Sequence, residues 1–174
     1  MITVISGTNK TDSLTRVVSS IYYNRLRIIY PTTRFLSLED VKFDFITGTM
    51  YSEHSAAINY LQETIFNPTK KFVFIVPEYN GSIPGVLKLL IDALDVKPAF
   101  QGKKATLTGI ATGRAGNLRG LDHMSSILQH MHVTVMPQML PISRVKDELN
   151  HHGDFILPGT IKTIEQHVKN IIEF

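Results

Sequence analysis

The chain has 174 residues, the length of one ordinary domain, and its 43% hydrophobic and 19% charged residues are typical of a folded globular protein. It contains no cysteine, which excludes disulfides, thiolate catalysis and cysteine-ligated metal centres, so any redox chemistry requires a bound cofactor. The 18 basic and 15 acidic residues form no cationic stripe, and no stretch reaches the roughly 18 consecutive apolar residues of a membrane-spanning helix. We therefore predict a cytoplasmic protein with no nucleic-acid partner and no membrane partner.

Strand and helix patterns alternate along the whole chain. The predicted strands are, in order, Ile2–Ser6, residues 34–38, Lys71–Pro77, residues 104–111 and residues 133–136. A predicted helix follows each strand: from Leu14 with Ser13 as its N-cap, over residues 55–66, from Pro84 to about Leu94, over residues 116–131, and at the C-terminal end. Lys71–Pro77 contains an uninterrupted apolar run, which is typical of a central parallel strand buried on both faces.

This alternation predicts an α/β fold of the flavodoxin-like type, a three-layer sandwich with a five-stranded parallel sheet in the order 2-1-3-4-5. No linker or repeat interrupts the pattern, so residues 1–174 are predicted to form a single domain. Residues 137–153, with two prolines and a polar middle, are predicted as an excursion from the alternation. In such a sheet a ligand lies beyond the carboxyl ends of the strands, so the loops after strands one, three and four should carry the chemistry.

The loop after the first strand is rich in hydroxyl side chains and ends at a helix N-terminus. Free backbone N–H groups and the helix dipole favour an anion there, and the loop lacks the spacing of a nucleoside triphosphate or dinucleotide loop. It therefore predicts a site for a single phosphate. The candidate residues are Thr8, Lys10, Ser13, Leu14 and Thr15. A hydroxyl-rich turn with a good N-cap and no ligand explains this loop, taken alone, about equally well.

The loop after the third strand reads PEYNGSIPGVLK over residues 77–88, followed by Ile91 and Asp92. It closely resembles the P-E-Y-N-G-S-x-P-G-x-L-K-x-x-I-D signature of the NAD(P)H-dependent FMN reductase family. The first loop resembles the family's G-S-x-R-x-x-S pattern, with Lys10 in place of the arginine. Residues 112–117 resemble its S-x-G-x-x-G-G segment, with Asn117 where a glycine is usual. The resemblance extends from the first strand to the helix near residue 130.

The resemblance implies FMN as the cofactor and NADPH or NADH as the co-substrate. It also implies that the flavin ring lies against residues 78–80, largely through their backbone. The FMN-binding candidates in these two loops are Pro77, Glu78, Tyr79, Asn80, Gly81, Thr112, Gly113 and Gly116. The implied activity is hydride transfer from NAD(P)H through FMN to an acceptor such as free flavin, a quinone or another small oxidant. Flavin N5 carries this chemistry, so no catalytic side chain is predicted.

Two other functions remain open, a flavodoxin-like electron carrier and a non-catalytic flavin-binding module. The net charge of +3 argues against a carrier, since flavodoxins are strongly acidic, while the departures at Lys10 and Asn117 leave the module open. The family also implies a homodimer or homotetramer. The histidine pairs at 130 and 132 and at 151 and 152 lack acidic partners at metal-ligand spacing, so no metal site is predicted. The acceptor, the preference between NADH and NADPH, and the roles of Arg114 and Arg119 are not determined by the sequence.

Overall fold

A parallel sheet organises the protein; the structure, a computed structural model, describes all 174 residues. The strands follow the order β2–β1–β3–β4–β5, and β6 also pairs with β4. Every pairing between them is parallel. The strands are β1 (Ile2–Ser6), β2 (Arg34–Ser37), β3 (Lys71–Pro77), β4 (Lys104–Ile110), β5 (Thr134–Val135) and β6 (Leu140–Ile142). The predicted fold class and strand order are confirmed.

Helices cover both faces of the sheet. They are α1 (Leu14–Ile29), α2 (Ala56–Leu61, continued by a π-helical turn, Gln62–Phe66), α3 (Gly85–Asp92), α4 (Val96–Ala99), α5 (Leu118–His130), α6 (Val145–Glu148) and α7 (Pro158–Glu173). As predicted, Ser13 is the N-cap of α1, where its Oγ accepts the N–H of Arg16 at 3.2 Å. Pro84 lies at the N-cap of α3, one position earlier than expected, because its ψ of 135° is still extended. None of these helices has the length and apolar character needed to cross a membrane.

The central strand β3 divides the core into two layers. Phe72, Phe74 and Val76 point to one face, where they pack in a cluster with residues of α2, α3 and α5. Val73 and Ile75 point to the other face and pack with residues of α1 and α7. Side chains of a strand alternate between faces, so burial on both sides requires an unbroken apolar run, as the sequence predicts.

The sheet edge beside β4 differs from the prediction. The fifth strand is two residues long rather than the four of residues 133–136, and the excursion of residues 137–153 contains both β6 and α6. Pro137 has no N–H for the ladder, so the chain leaves β4 after Met136, whose N–H donates to Ala105 O at 2.9 Å. It returns at Leu140, which pairs with Thr108. Two short strands therefore share the edge where one was expected.

Candidate functional site

A cavity of about 410 Å³ lies at the carboxyl ends of β1, β3 and β4, within the size range of small-molecule sites. Three of its walls are the loops predicted to carry the chemistry. The predicted residues that line it are Lys10, Ser13, Leu14, Thr15, Pro77, Glu78, Tyr79 and Thr112. The predicted residues that do not line it are Thr8, Asn80, Gly81, Gly113 and Gly116.

The first wall is the N-terminus of α1. The backbone N–H groups of Leu14 and Thr15 donate to no group of the chain, so two donors at the positive end of a 16-residue helix remain open toward the cavity. The guanidinium of Arg16, in contrast, is already engaged at 2.8 Å from Asp40 and 3.3 Å from Glu39. The hydrogen bond to Asp40 raises the pKa of Arg16. This wall has the open N–H groups, hydroxyls and lysine that bind a phosphate.

Thr8 holds the first wall to the second. Its side chain is buried, and its Oγ1 accepts the N–H of Lys10 at 3.2 Å and shares a 2.7 Å hydrogen bond with the hydroxyl of Tyr79. Thr8 therefore connects two loops that are 71 residues apart in sequence, and its role as a direct ligand stays a prediction.

The second wall is held by a tight turn. Asn80 and Gly81 have φ angles of 52° and 76°, and the N–H groups of Tyr79 and Ser82 donate to each other's carbonyls at 3.0 and 3.1 Å. An Asn-Gly pair with two positive φ values forms the type I′ turn of a two-residue hairpin. The N–H of Glu78 donates to a carbonyl of β4, so of residues 78–80 only Asn80 keeps an open backbone N–H. Of these three backbone N–H groups, only that of Asn80 is therefore free to donate to a ligand.

The third wall contains Thr112, while Gly116 contacts β6 and Gly113 contacts the segment that follows it. The carbonyl of Gly113 accepts the N–H of Arg144 at 2.9 Å. Gly116 has a φ of +59°, and a Cβ there would lie 2.7 Å from the Cβ of Pro141. Gly116 therefore allows a close approach of protein to protein, whereas a Cβ at Gly113 would meet nothing within 4 Å; contact of either glycine with FMN stays a prediction.

The structure explains why asparagine can stand at position 117, where the family usually has glycine. Its φ and ψ of 67° and 33° are left-handed, a conformation in which asparagine is the next most tolerated residue after glycine. Its Nδ2 also donates to Val76 O at 2.9 Å, which ties the start of α5 to the end of β3. The substitution thus preserves the backbone shape and does not indicate a lost ligand contact.

A fourth wall was missed by the sequence analysis. Val145, Lys146, Leu149 and Asn150 line the cavity, and all belong to the excursion after β6. This stretch has no motif and too few residues for a periodic pattern. The available signal was its position directly after the last strand of the sheet, since the carboxyl ends of parallel strands meet at one edge.

Comparisons with known proteins identify the family. The family model described as NADPH-dependent FMN reductase matches residues 1–147. This chain belongs to that family. An NAD(P)H-dependent FMN reductase of Pseudomonas aeruginosa is 31% identical over 101 residues, which are 56% of this chain and 54% of that protein, so the match spans about half of the relative's length. Family membership confirms the predicted cofactor, FMN.

Solved structures support the fold of this FMN reductase family member. The flavoenzyme NAD(P)H:(acceptor) oxidoreductase FerB from Paracoccus denitrificans is similar with a TM-score of 0.79 and 19% identity, over 99% of this chain and 94% of that one. A flavodoxin from the domain Archaea is similar with a TM-score of 0.62 and 15% identity, over 99% and 97%. At these identities the likeness shows the flavodoxin-like fold.

The residues present fit FMN. Two open N–H groups, the hydroxyls of Ser13 and Thr15 and the ammonium of Lys10 suit its phosphate, which carries a charge of about −1.5 to −2 at neutral pH. The second wall presents the aromatic side chain of Tyr79 for a planar heterocycle. The donor set is therefore matched to a molecule with one anionic end and one flat end.

Proposed function

We propose that this protein binds FMN in the 410 Å³ cavity and passes reducing equivalents from NAD(P)H to a small-molecule acceptor, such as free flavin, a quinone or another small oxidant. The observation that carries the proposal is the pair of open N–H groups at Leu14 and Thr15, facing the same cavity as the loop of residues 77–79. A reductase needs its cofactor held in a fixed orientation with the ring reachable, and the two facing walls support that requirement.

The chain's own residues bind and orient the cofactor. Bound FMN supplies the chemistry that accepts two electrons from a nicotinamide nucleotide and releases them to an acceptor. The N-terminus of α1, with Ser13 and Thr15, holds the phosphate and thereby fixes one end of the molecule. The Asn-Gly turn holds Tyr79 in the second wall, where it would contact the flat end of the cofactor. No cavity residue needs to donate or accept a proton for this role.

Further parts of the proposal concern assembly and context. We take residues 1–174 as one FMN-binding domain that acts in the cytoplasm as a homodimer or homotetramer, on the strength of the family. Tyr51, in the loop after β2, is 68% exposed and offers apolar surface for a second copy. Size-exclusion chromatography with light scattering tests this part, and a monomer at micromolar concentration would contradict it.

The test of function is a flavin titration followed by turnover. Purified protein stripped of flavin should quench the fluorescence of added FMN at a one-to-one ratio. Anaerobic addition of NADPH or NADH should then bleach the bound flavin, and a panel of free flavin, quinone and azo compounds should reoxidise it. Absence of FMN binding would refute the proposal. Binding without reduction by either nucleotide would instead favour the electron carrier or the non-catalytic module.

A further inference from the structure

The fourth wall is a segment anchored at both ends to other walls of the cavity. We name residues 144–153 the bridging segment. At its start, the N–H of Arg144 donates to Gly113 O at 2.9 Å and that of Val145 to Ala111 O at 3.0 Å. These two bonds attach it to the loop after β4, which is the third wall.

The far end of the bridging segment rests on α1. Gly153 has a φ of +85°, and a Cβ there would lie 2.9 Å from Cγ1 of Val17. Only glycine permits so close an approach in this conformation. Because Val17 lies in the first turn of α1, the segment crosses from the third wall to the first. Its middle therefore lies at the end of the cavity where the open N–H groups of Leu14 and Thr15 are found.

Two side chains of the bridging segment face the cavity with free donors. Lys146 forms no ion pair and no hydrogen bond within the chain. Asn150 uses its Oδ1 to accept the N–H groups of His152 and Asp154, both at 2.9 Å. Those two bonds fix the orientation of the amide, because only the oxygen can accept, and they leave Nδ2 without a partner.

Charge balance gives Lys146 a specific role. The ionisable side chains that line the cavity are Lys10, Asp12, Glu78, Tyr79 and Lys146. Without Lys146, the two carboxylates would outnumber Lys10 and give the lining one net negative charge, which opposes an anionic ligand. Arg16 does not correct this, since it is paired with Asp40 and Glu39.

We propose that the bridging segment completes the cofactor site, with Lys146 as the second cation on the phosphate of FMN and Asn150 donating through Nδ2 to its ribityl phosphate end. This inference rests on the proposed FMN binding and adds a part of the chain that the motifs of the family do not include. It assigns the preference for a phosphorylated flavin to two walls, α1 and the bridging segment, rather than to the first loop alone.

Titration of flavin-free protein with FMN and with riboflavin tests Lys146. Lys146→Gln should raise the Kd for FMN about tenfold, because a charge-assisted contact is lost, and leave the Kd for riboflavin unchanged. The matched control is Lys169→Gln, which removes the same charge from an exposed position on α7 and should alter neither value more than about twofold. Sodium chloride at about 0.5 M should reduce the difference between Lys146→Gln and the wild type. Equal effects of Lys146→Gln on FMN and riboflavin, or none, would overturn the proposal.

Asn150→Asp provides a second, independent variant. Aspartate keeps the oxygen that accepts from His152 and Asp154, so the turn is preserved, but it replaces the Nδ2 donor with an anionic oxygen. FMN binding should weaken more than tenfold and riboflavin binding much less, while the melting temperature of the flavin-free protein stays within a few degrees. Unchanged FMN binding would refute the role of Asn150. Failure of the wild type to bind FMN would refute the proposed function itself, which distinguishes the two outcomes.

Discussion

A buried lysine just before β4 is engaged by partners within the chain, whereas two lysines at the carboxyl end of the sheet have none. Lys103 is buried, and its Nζ donates to Phe66 O at 2.6 Å and Asn67 O at 3.0 Å. Lys10 and Lys146 line the cavity, and neither side chain forms a hydrogen bond or an ion pair. The same residue type is thus structural in one place and available for a ligand in the other. The difference teaches that the state of the hydrogen bonds, not the residue type, marks the site.

A chain of buried side-chain hydrogen bonds runs from the sheet to α7. Thr108 donates to the hydroxyl of Tyr22 at 3.3 Å, Tyr22 donates to Nδ1 of His167 at 2.9 Å, and Nε2 of His167 donates to Gln138 O at 3.2 Å. Every group has a partner only while the imidazole is neutral. Burial lowers the pKa of His167 to about 4 and raises that of Tyr22, so both side chains stay uncharged at neutral pH.

The largest effect that we predict is the acid sensitivity of this buried arrangement. Between pH 6.5 and about 4 the unfolded chain protonates His167 while the folded chain does not, so stability is complete above pH 6.5 and falls as the pH is lowered. The loss should reach about 3 kcal/mol near pH 4. Urea unfolding at pH 7 and pH 4 measures it. His167→Gln, which cannot titrate, should be less stable at pH 7 but should lose less on acidification, and equal losses in both proteins would contradict the assignment.

Lys103→Met should have the next largest effect, and it should change stability alone. It leaves the carbonyls of Phe66 and Asn67 without their donor, which we expect to cost about 2 kcal/mol. Part of the loss is offset because burial, which lowers the pKa of Lys103 to about 8, makes its charge costly to keep. Denaturant unfolding measures the change, with the exposed Lys70→Met as the control. The Kd for FMN should be unchanged. A weakened FMN affinity would show that Lys103 also affects the cavity.

Asn117 sharpens the comparison, since it lies at the carboxyl end and its Nδ2 nevertheless has a partner within the chain, Val76 O. Asn117→Gly keeps the left-handed backbone but loses the bond to Val76 O, at an expected cost of about 1 kcal/mol. Asn117→Ala also strains that backbone, so its cost should be about 2 kcal/mol. Thermal unfolding of both variants gives the order, and a glycine variant less stable than the alanine variant would show that the backbone conformation is not the deciding factor.

Local patterns predicted the elements, and contacts distant in sequence decided much of the site. The apolar run of β3, the cap at Ser13 and the Asn80-Gly81 turn all depend on residues within a few positions of one another, so a single sequence is enough to find them. The bridging segment depends on Gly113 and on Val17, which lie far from it along the chain. Nothing in its own composition records those contacts, and only the folded chain brings them together.

The motif residues show the same division. Glycines in the third loop were expected to meet a flat ring, since glycine permits close approach, but glycine does not specify what approaches. Gly116 meets Pro141 of β6, a strand of three residues that includes a proline and that no periodicity reveals. The motif predicts a close approach, and the protein contact that the structure shows at Gly116 is not contained in the motif; contact with the flavin ring stays a prediction.

The smallest effect concerns the bond that joins the first two walls. Tyr79→Phe and Thr8→Val each remove the 2.7 Å hydrogen bond between the two hydroxyls, so each should raise the Kd for FMN about threefold by loosening the loops. Because both variants break the same bond, the double variant should be little weaker than the worse single one, with a coupling energy of about 0.5–1 kcal/mol. Fluorescence titration of the four proteins completes the cycle. Additive losses would mean that each hydroxyl acts on the flavin separately, and that the walls are not joined through this bond.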